Sequence, residues 1–157
     1  MDLNIAVLSG DGIGPEVTNE AVKVIDVISK KFDHKINISE GLTGAIAIDK
    51  KGNPYPDETH QICEKSDAVL FGAIGDPKYD NDPSAKVRPE QGLLEMRKKL
   101  GLYANLRPTI VFESLINNSP LKKDRIQNTD LIFVRELTGG IYFGKRGRKD
   151  NGNFAYD

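Results

Sequence analysis

Ile5, Ala6, Val7 and Leu8 form a short apolar run, too continuous for a half-exposed strand, so residues 4–8 read as a buried parallel strand. Residues 9–15 turn the chain, and Pro15 suits the first helical position, where its missing N–H has no intrahelical partner to lose. From Glu16 the period changes. Val17, Ala21, Val24, Ile25, Ile28 and Phe32 recur at three- and four-residue steps, which predicts an amphipathic helix. Residues 35–40 predict a second strand with Ile36 and Ile38 on one face. Residues 41–52 admit either a helical turn or a short extended piece, and after the turn at 53–57 a short helix is expected over 58–65. Residues 68–71 are another buried apolar strand, running into a Gly72–Pro77 bend where backbone can approach a ligand.

Glycine, aspartate and proline mark a surface loop as far as Pro89. A loop after a strand's carboxyl end is where open α/β sheets place their sites. Residues 90–100 predict a helix closed by Gly101, with Leu93, Arg97 and Leu100 sharing a face. Residues 103–106 and 109–112 read as two extended pieces separated by Arg107 and Pro108, residues 117–120 as a loop, and 131–136 as a further buried apolar strand. The last thirteen residues carry four basic side chains in five (145–149) and then a glycine-spaced polar run, so the chain reads as stopping inside a hairpin or loop. Alternating strands and helices make the fold class α/β.

Composition narrows the function. At 157 residues the chain is one domain or the leading part of a longer protein. With 38% hydrophobic and 29% charged residues it suits a globular protein, and a net charge of −1 gives no general attraction to nucleic acid or anionic membrane. No uninterrupted apolar stretch approaches a membrane span and no basic segment precedes an apolar one, so the expected setting is cytoplasmic. Cys63, His34 and His60 cannot build a zinc cluster, and Cys63 reads as a core thiol.

Three features carry candidate chemistry. Glycines at 10, 12 and 14 lie between a strand and a helix, as in a phosphate-cradling loop. Their spacing is neither that of the G-x-G-x-x-G dinucleotide fingerprint nor that of a P-loop, so a ligand contact and a plain tight turn remain equally open. Arg97, Arg107 and Arg135 each lie near apolar elements. Converging guanidinium groups would hold a di- or tricarboxylate through bidentate bonds; structural ion pairs with Glu90, Glu95 and Glu136 are the alternative. Tyr142 follows Gly139 and Gly140 and could donate a proton to a carbanionic intermediate, or be an ordinary half-buried aromatic.

The same residues carry a resemblance. Residues 10–17 (GDGIGPEV), 71–75 (FGAIG), 88–94 (RPEQGLL) with Arg97, 102–108 (LYANLRP) and 134–144 (VRELTGGIYFG) resemble, in order, the amino-terminal part of the β-decarboxylating isocitrate/isopropylmalate dehydrogenase family. The resemblance implies an incomplete doubly wound sheet of that family, not a G-x-G-x-x-G Rossmann domain. Residues 1–99 would belong to a first, cofactor-side domain, and 100–157 would begin a second, substrate and dimerisation domain, cut short.

It also implies roles. Arg97, Arg107 and Arg135 match arginines that bind the malate carboxylates, and Tyr142 matches the catalytic tyrosine that protonates the enol after carbon dioxide leaves. Leu93 and Leu94 match the apolar lining for an isopropyl group, which would disfavour the third carboxylate of isocitrate. Ile13, Ile74, Gly75, Pro77 and Glu90 match cofactor-binding positions; Asp76 departs from the second glycine of many members.

The implied reaction is NAD-dependent oxidation and Mg- or Mn-assisted decarboxylation of 3-isopropylmalate to 4-methyl-2-oxopentanoate in leucine biosynthesis, by a homodimer. Homoisocitrate- or tartrate-type chemistry, or a non-catalytic carboxylate-binding module, are the alternatives. The resemblance places the family's catalytic lysine and metal-binding aspartates beyond residue 157, so no metal ligand is expected in this chain and the 157 residues alone are expected to be inactive.

Overall fold

The computed structural model describes residues 1–82, 84–140 and 143–156. The chain divides into two compact units, Met1–Leu100 and Gly101–Asp157.

The first unit runs β1 (Asp2–Gly10), α1 (Gly14–Lys31), β2 (Lys35–Glu40), α2 (Ala45–Lys51), α3 (Asp57–Glu64), β3 (Ala68–Ala73), α4 (Pro77–Asp80) and α5 (Pro89–Lys99). Its strands form an open parallel sheet in the order β2-β1-β3, with Leu3 opposite Ile36, Ala6 opposite Val69 and Leu8 opposite Phe71. The continuous apolar run of β1 follows from this topology, since a central parallel strand is covered on both faces. On one face Ala6, Leu8, Val69 and Phe71 pack with Tyr55, Ile62 and Cys63, with Leu93 and Met96 of α5, and with Leu100 just after it. Leu8 and Tyr55 are fully buried, each removing an amount of apolar surface worth roughly 1.5–3 kcal/mol.

α1 packs on the opposite face, and two glycines let it approach. A Cβ on Gly72 would lie 2.2 Å from the Ser9 carbonyl oxygen and 2.7 Å from Thr18 Oγ1, and one on Gly14 would lie 2.0 Å from the same Ser9 oxygen. The sequence pattern of α1 needs a correction here. Its buried side runs through Gly14, Thr18, Ala21 and Ile25, while Val17, Val24, Ile28 and Phe32 face outward. The helix carries apolar residues on two sides, and periodicity alone does not say which one meets the sheet.

The ambiguous segment 41–52 contains a helix, α2, because Gly44 and Gly52 both take positive φ and bound it. The loop expected over 77–89 contains the short helix α4, opened by Asp76, whose side chain accepts from the Lys78 N–H.

The second unit runs β4 (Ala104–Ile110), a 3₁₀ segment at Glu113–Asn118, α6 (Lys123–Ile126), β5 (Asp130–Glu136), β6 (Gly147–Lys149) and β7 (Phe154–Tyr156). β4 and β5 form an antiparallel ribbon, and β6 and β7 form a second one. Arg107 and Pro108 do not interrupt the extended chain but lie inside β4. Pro108 is tolerated opposite Ile132 because β4 pairs on one side only. β5 is not buried as its apolar sequence predicts: every residue in it is exposed. A two-stranded ribbon offers no second layer to cover it. Among the described residues no helix is long and apolar enough to cross a membrane.

Candidate active site

In the first unit, α1 covers one sheet face on the way from β1 to β2 and α3 covers the other on the way from β2 to β3, so the neighbours β1 and β3 are not joined directly. The crevice outside the carboxyl ends of β1 and β3 is therefore the topological switch point, where open α/β sheets bind ligands. Two loops meet there. The Asp11 N–H donates to the Ala73 carbonyl (2.7 Å), and a Cβ on Gly12 would lie 3.9 Å from the Gly75 carbonyl oxygen. Ile13, Ile74 and Gly75 thus come from two loops brought side by side. Ile13 is 58% exposed, an apolar side chain held in the open at the mouth of the crevice. Glu90, in the first turn of α5, joins them: its Oε1 lies 3.5 Å from where a Cβ on Gly75 would sit. Pro77 begins α4 on the same loop.

The loop's far side is tied down by side chains. Lys78 and Tyr79 both bond the carboxylate of Asp49 on α2, the tyrosine at 2.8 Å. The lysine's bond holds the exposed Asp49 carboxyl below its ordinary range. Arg88 donates to the carbonyls of Tyr79 (2.8 Å) and Asp82 (3.4 Å), which anchors the segment to the start of α5. Arg88 and Asp49 carry no role in the sequence reasoning, because their partners are backbone groups or lie 29 and 30 residues away.

α5 separates two kinds of side chain. Pro89, Gly92 and Met96 are buried, and Leu93 and Leu100 pack against the core. At 3.6 residues per turn, Glu90, Leu94 and Arg97 (i, i+4, i+7) occupy a different face. Arg97, four residues after Leu93 and three before Leu100, lies at the border between the two faces. It is half-buried beside Leu94, and no hydrogen bond or ion pair to it is made among the described residues. Leu93 is core-facing in this unit; Leu94 lies on the open side with Glu90 and Arg97.

In the second unit the β4–β5 register brings Asn105 opposite Arg135 and Arg107 opposite Phe133. Opposite residues share a face and alternate residues return to it, so Arg107 and Arg135 are diagonal neighbours on one face of the ribbon. Arg107 Nε donates to Asn105 Oδ1 at 2.6 Å, which leaves the rest of its fork directed elsewhere. Arg107, Phe133 and Arg135 border a hollow of about 400 Å³. The Glu136 carboxylate accepts from the Thr138 hydroxyl and from the N–H groups of Thr138 and Gly139 (3.1 Å for the last); the hydroxyl bond is the main reason its pKa lies below the ordinary value. Glu136 is thus spent on its own turn. Tyr142 lies outside the described residues.

The buried phenol of Tyr55 is 3.3 Å from His60 Nδ1, and His60 Nε2 is 3.5 Å from Glu64. Burial pushes both the Tyr55 phenol and the Cys63 thiol up in pKa. Tyr55 and Cys63 belong to the core. Among the described residues no three His, Cys, Asp or Glu side chains gather as a cation site.

The sequence profile of the isocitrate/isopropylmalate dehydrogenases matches residues 4–157, nearly the whole chain. The chain belongs to the isocitrate/isopropylmalate dehydrogenase family. It is 55% identical over 157 residues to a 3-isopropylmalate dehydrogenase of Bacteroides fragilis, and 55% identical over 141 residues to one of Aquifex aeolicus. Those alignments take in 100% and 90% of this chain, but 44% and 38% of the relatives. The chain therefore spans less than half the length of these family members. Among solved structures, a β-decarboxylating dehydrogenase of Thermococcus kodakarensis superimposes with TM-score 0.66 at 30% identity, over 99% of this chain and 39% of the other. An isocitrate dehydrogenase of Methylococcus capsulatus gives TM-score 0.72 at 28% identity, over 94% and 38%. These likenesses are to an α/β family with an open parallel sheet, in agreement with the sheet order found here.

Proposed function

We propose that the chain carries the substrate arginines and the nicotinamide-side cofactor loops of an NAD-dependent β-decarboxylating dehydrogenase acting on 3-isopropylmalate. The observation that carries this reading is the pairing of Arg107 and Arg135 on one ribbon face. Two permanently charged forks on one face suit anions, and a malate skeleton supplies two carboxylates. By the family resemblance, Arg97 of the first unit is a further substrate arginine.

Leu94 selects within the family in this reading. An alkyl group lies against it without penalty, whereas a third carboxylate there would be desolvated beside an apolar wall. Discrimination by such a wall is modest, about 1–3 kcal/mol per methylene, so small alkylmalates would also be accepted. Ile13, Ile74, Gly75, Pro77 and Glu90 fit a nicotinamide nucleotide: bare glycine backbone admits close approach, Ile13 offers an apolar surface, and the Glu90 carboxylate can accept from a ribose hydroxyl. NAD held there would supply the hydride acceptor for the hydroxyl-bearing carbon. Tyr142 would deliver the proton after loss of carbon dioxide. For the Mg or Mn ion the described residues offer no group of three ligands. Homodimer assembly belongs to the same proposal.

The test joins the chain to the remaining portion of the Bacteroides fragilis relative and follows NADH formation with 3-isopropylmalate, isocitrate and tartrate. Turnover preferring 3-isopropylmalate is expected. Preference for isocitrate, or no loss of activity on replacing both Arg107 and Arg135 by alanine, would sink the proposal.

A further inference from the structure

We infer that Asp11 is a positioning residue: its buried carboxylate fixes the loop after β3 against the loop after β1, and so sets the Gly75 backbone where the cofactor is proposed to lie. The inference rests on the cofactor reading above. Asp11 is only 6% exposed. Its Oδ2 accepts from the Ala45 N–H (2.8 Å) and the Gly75 N–H (3.1 Å), and its Oδ1 from the Ile46 N–H (3.0 Å). Its own N–H donates to the Ala73 carbonyl at 2.7 Å. One residue therefore joins the end of β1 to the amino end of α2, 34 and 35 positions away, and to the loop leaving β3, 64 positions away.

The surroundings are shaped around that carboxylate. Gly44, which flanks α2, supplies no side-chain cap, and Asp11 satisfies the first N–H groups of that helix from a distant segment. A Cβ on Gly44 would lie 2.2 Å from Asp11 Oδ2 and 2.7 Å from Ile74 Cδ1, so only glycine leaves the carboxylate its place. Three N–H donors offset the cost of burying the charge.

The Gly75 bond has consequence because this backbone has little else to hold it. Gly75 lies outside the helices and strands, with φ of +130°, a conformation that side-chain-bearing residues rarely adopt. A loop ordered before the ligand arrives spares binding the cost of ordering it. Asp11 would thus act on cofactor affinity without touching the cofactor.

The experiment uses the 157-residue chain, amide hydrogen exchange resolved by NMR, and titration with NAD. In Asp11→Ala, the Gly75 and Ala45 amides should exchange at least about tenfold faster and NAD affinity should fall by at least about tenfold, the loss of a charge-assisted bond to a buried acceptor. Exchange at Val7 and Leu8 should stay as it was, marking an intact sheet. Asp11→Asn keeps one acceptor oxygen and should fall between. Gly44→Ala should reproduce the loss with Asp11 unaltered, by displacing its carboxylate. Unchanged protection at Gly75 in Asp11→Ala, or lost protection with undiminished NAD affinity, would overturn the inference. Failure of the unsubstituted chain to bind NAD would count against the cofactor reading, and exchange at Gly75 would then decide by itself whether Asp11 holds the loop.

Discussion

The two units use similar apolar residues with opposite results. β1 of the first unit places Ala6 and Leu8 at zero exposure, whereas in β5 of the second Ile132, Phe133 and Val134 are 60%, 59% and 68% exposed. Both strands read as buried from their sequences. The difference is the number of layers: β1 is the middle strand of a sheet with helices on both faces, and β5 is half of a two-stranded ribbon. Such a ribbon has no independent stability to speak of in water, and an apolar face without a partner contributes none. Burial belongs to the assembly of elements, not to the strand. The same holds within α1, whose Val17, Val24 and Ile28 lie outward although they are as apolar as its packed side.

The largest effects should break this comparison if it is wrong. Leu8→Ala removes a fully buried side chain and should cost about 2–5 kcal/mol, while Val134→Ala on the open ribbon should change stability by no more than about 0.5 kcal/mol, both measured by urea denaturation of the chain. Equal losses would mean that the ribbon is packed in solution. Next, Arg107→Ala should weaken 3-isopropylmalate binding by about 1.5–3 kcal/mol in calorimetry while leaving the denaturation midpoint in place, because Arg107 is exposed and its one hydrogen bond among the described residues is to the neighbouring Asn105.

Glycines sharpen the contrast at smaller scale. Gly72→Ala drives a Cβ to 2.2 Å from the Ser9 carbonyl and should cost about 1–3 kcal/mol as α1 and the sheet move apart. Gly101→Ala meets nothing within 4 Å and should cost only the roughly 1–2 kcal/mol of its positive φ. The gap between them, read from thermal unfolding, reports packing separately from backbone strain.

The smallest effect is electrostatic. Glu136 has a folded pKa below its unfolded value, so its bonds to Thr138 and Gly139 contribute above the unfolded pKa of about 4.3 and are lost as pH falls through the folded value. Thr138→Val removes the main cause and should move the Glu136 titration upward, as followed by carboxyl-carbon NMR. No movement would mean that the turn is not formed.

Much of the first unit was legible. The β1 run, the Pro15 helix start and the apolar 68–71 segment each have a local physical signature, and the strands and helices lie where those signatures are. The site was legible only as residue types. Arg107 and Arg135 could be named, but their shared face needed the β4–β5 register, and Pro108 argued against the continuous strand that provides it. Leu93 and Leu94 look equivalent along the chain, yet a rotation of one residue on α5 sends the first into the core and the second to the side of Glu90 and Arg97.

By itself the sequence determined the α/β alternation, the family and the residue types able to bind a dicarboxylate, because periodicity, turn chemistry and fixed charge are local properties of the chain. The tertiary structure alone decided which apolar faces are covered, which arginines are neighbours, and that Asp11 gathers the amides of Ala45, Ile46 and Gly75. Those outcomes depend on through-space pairings of segments as many as 64 residues apart, and no local pattern encodes a partner's position.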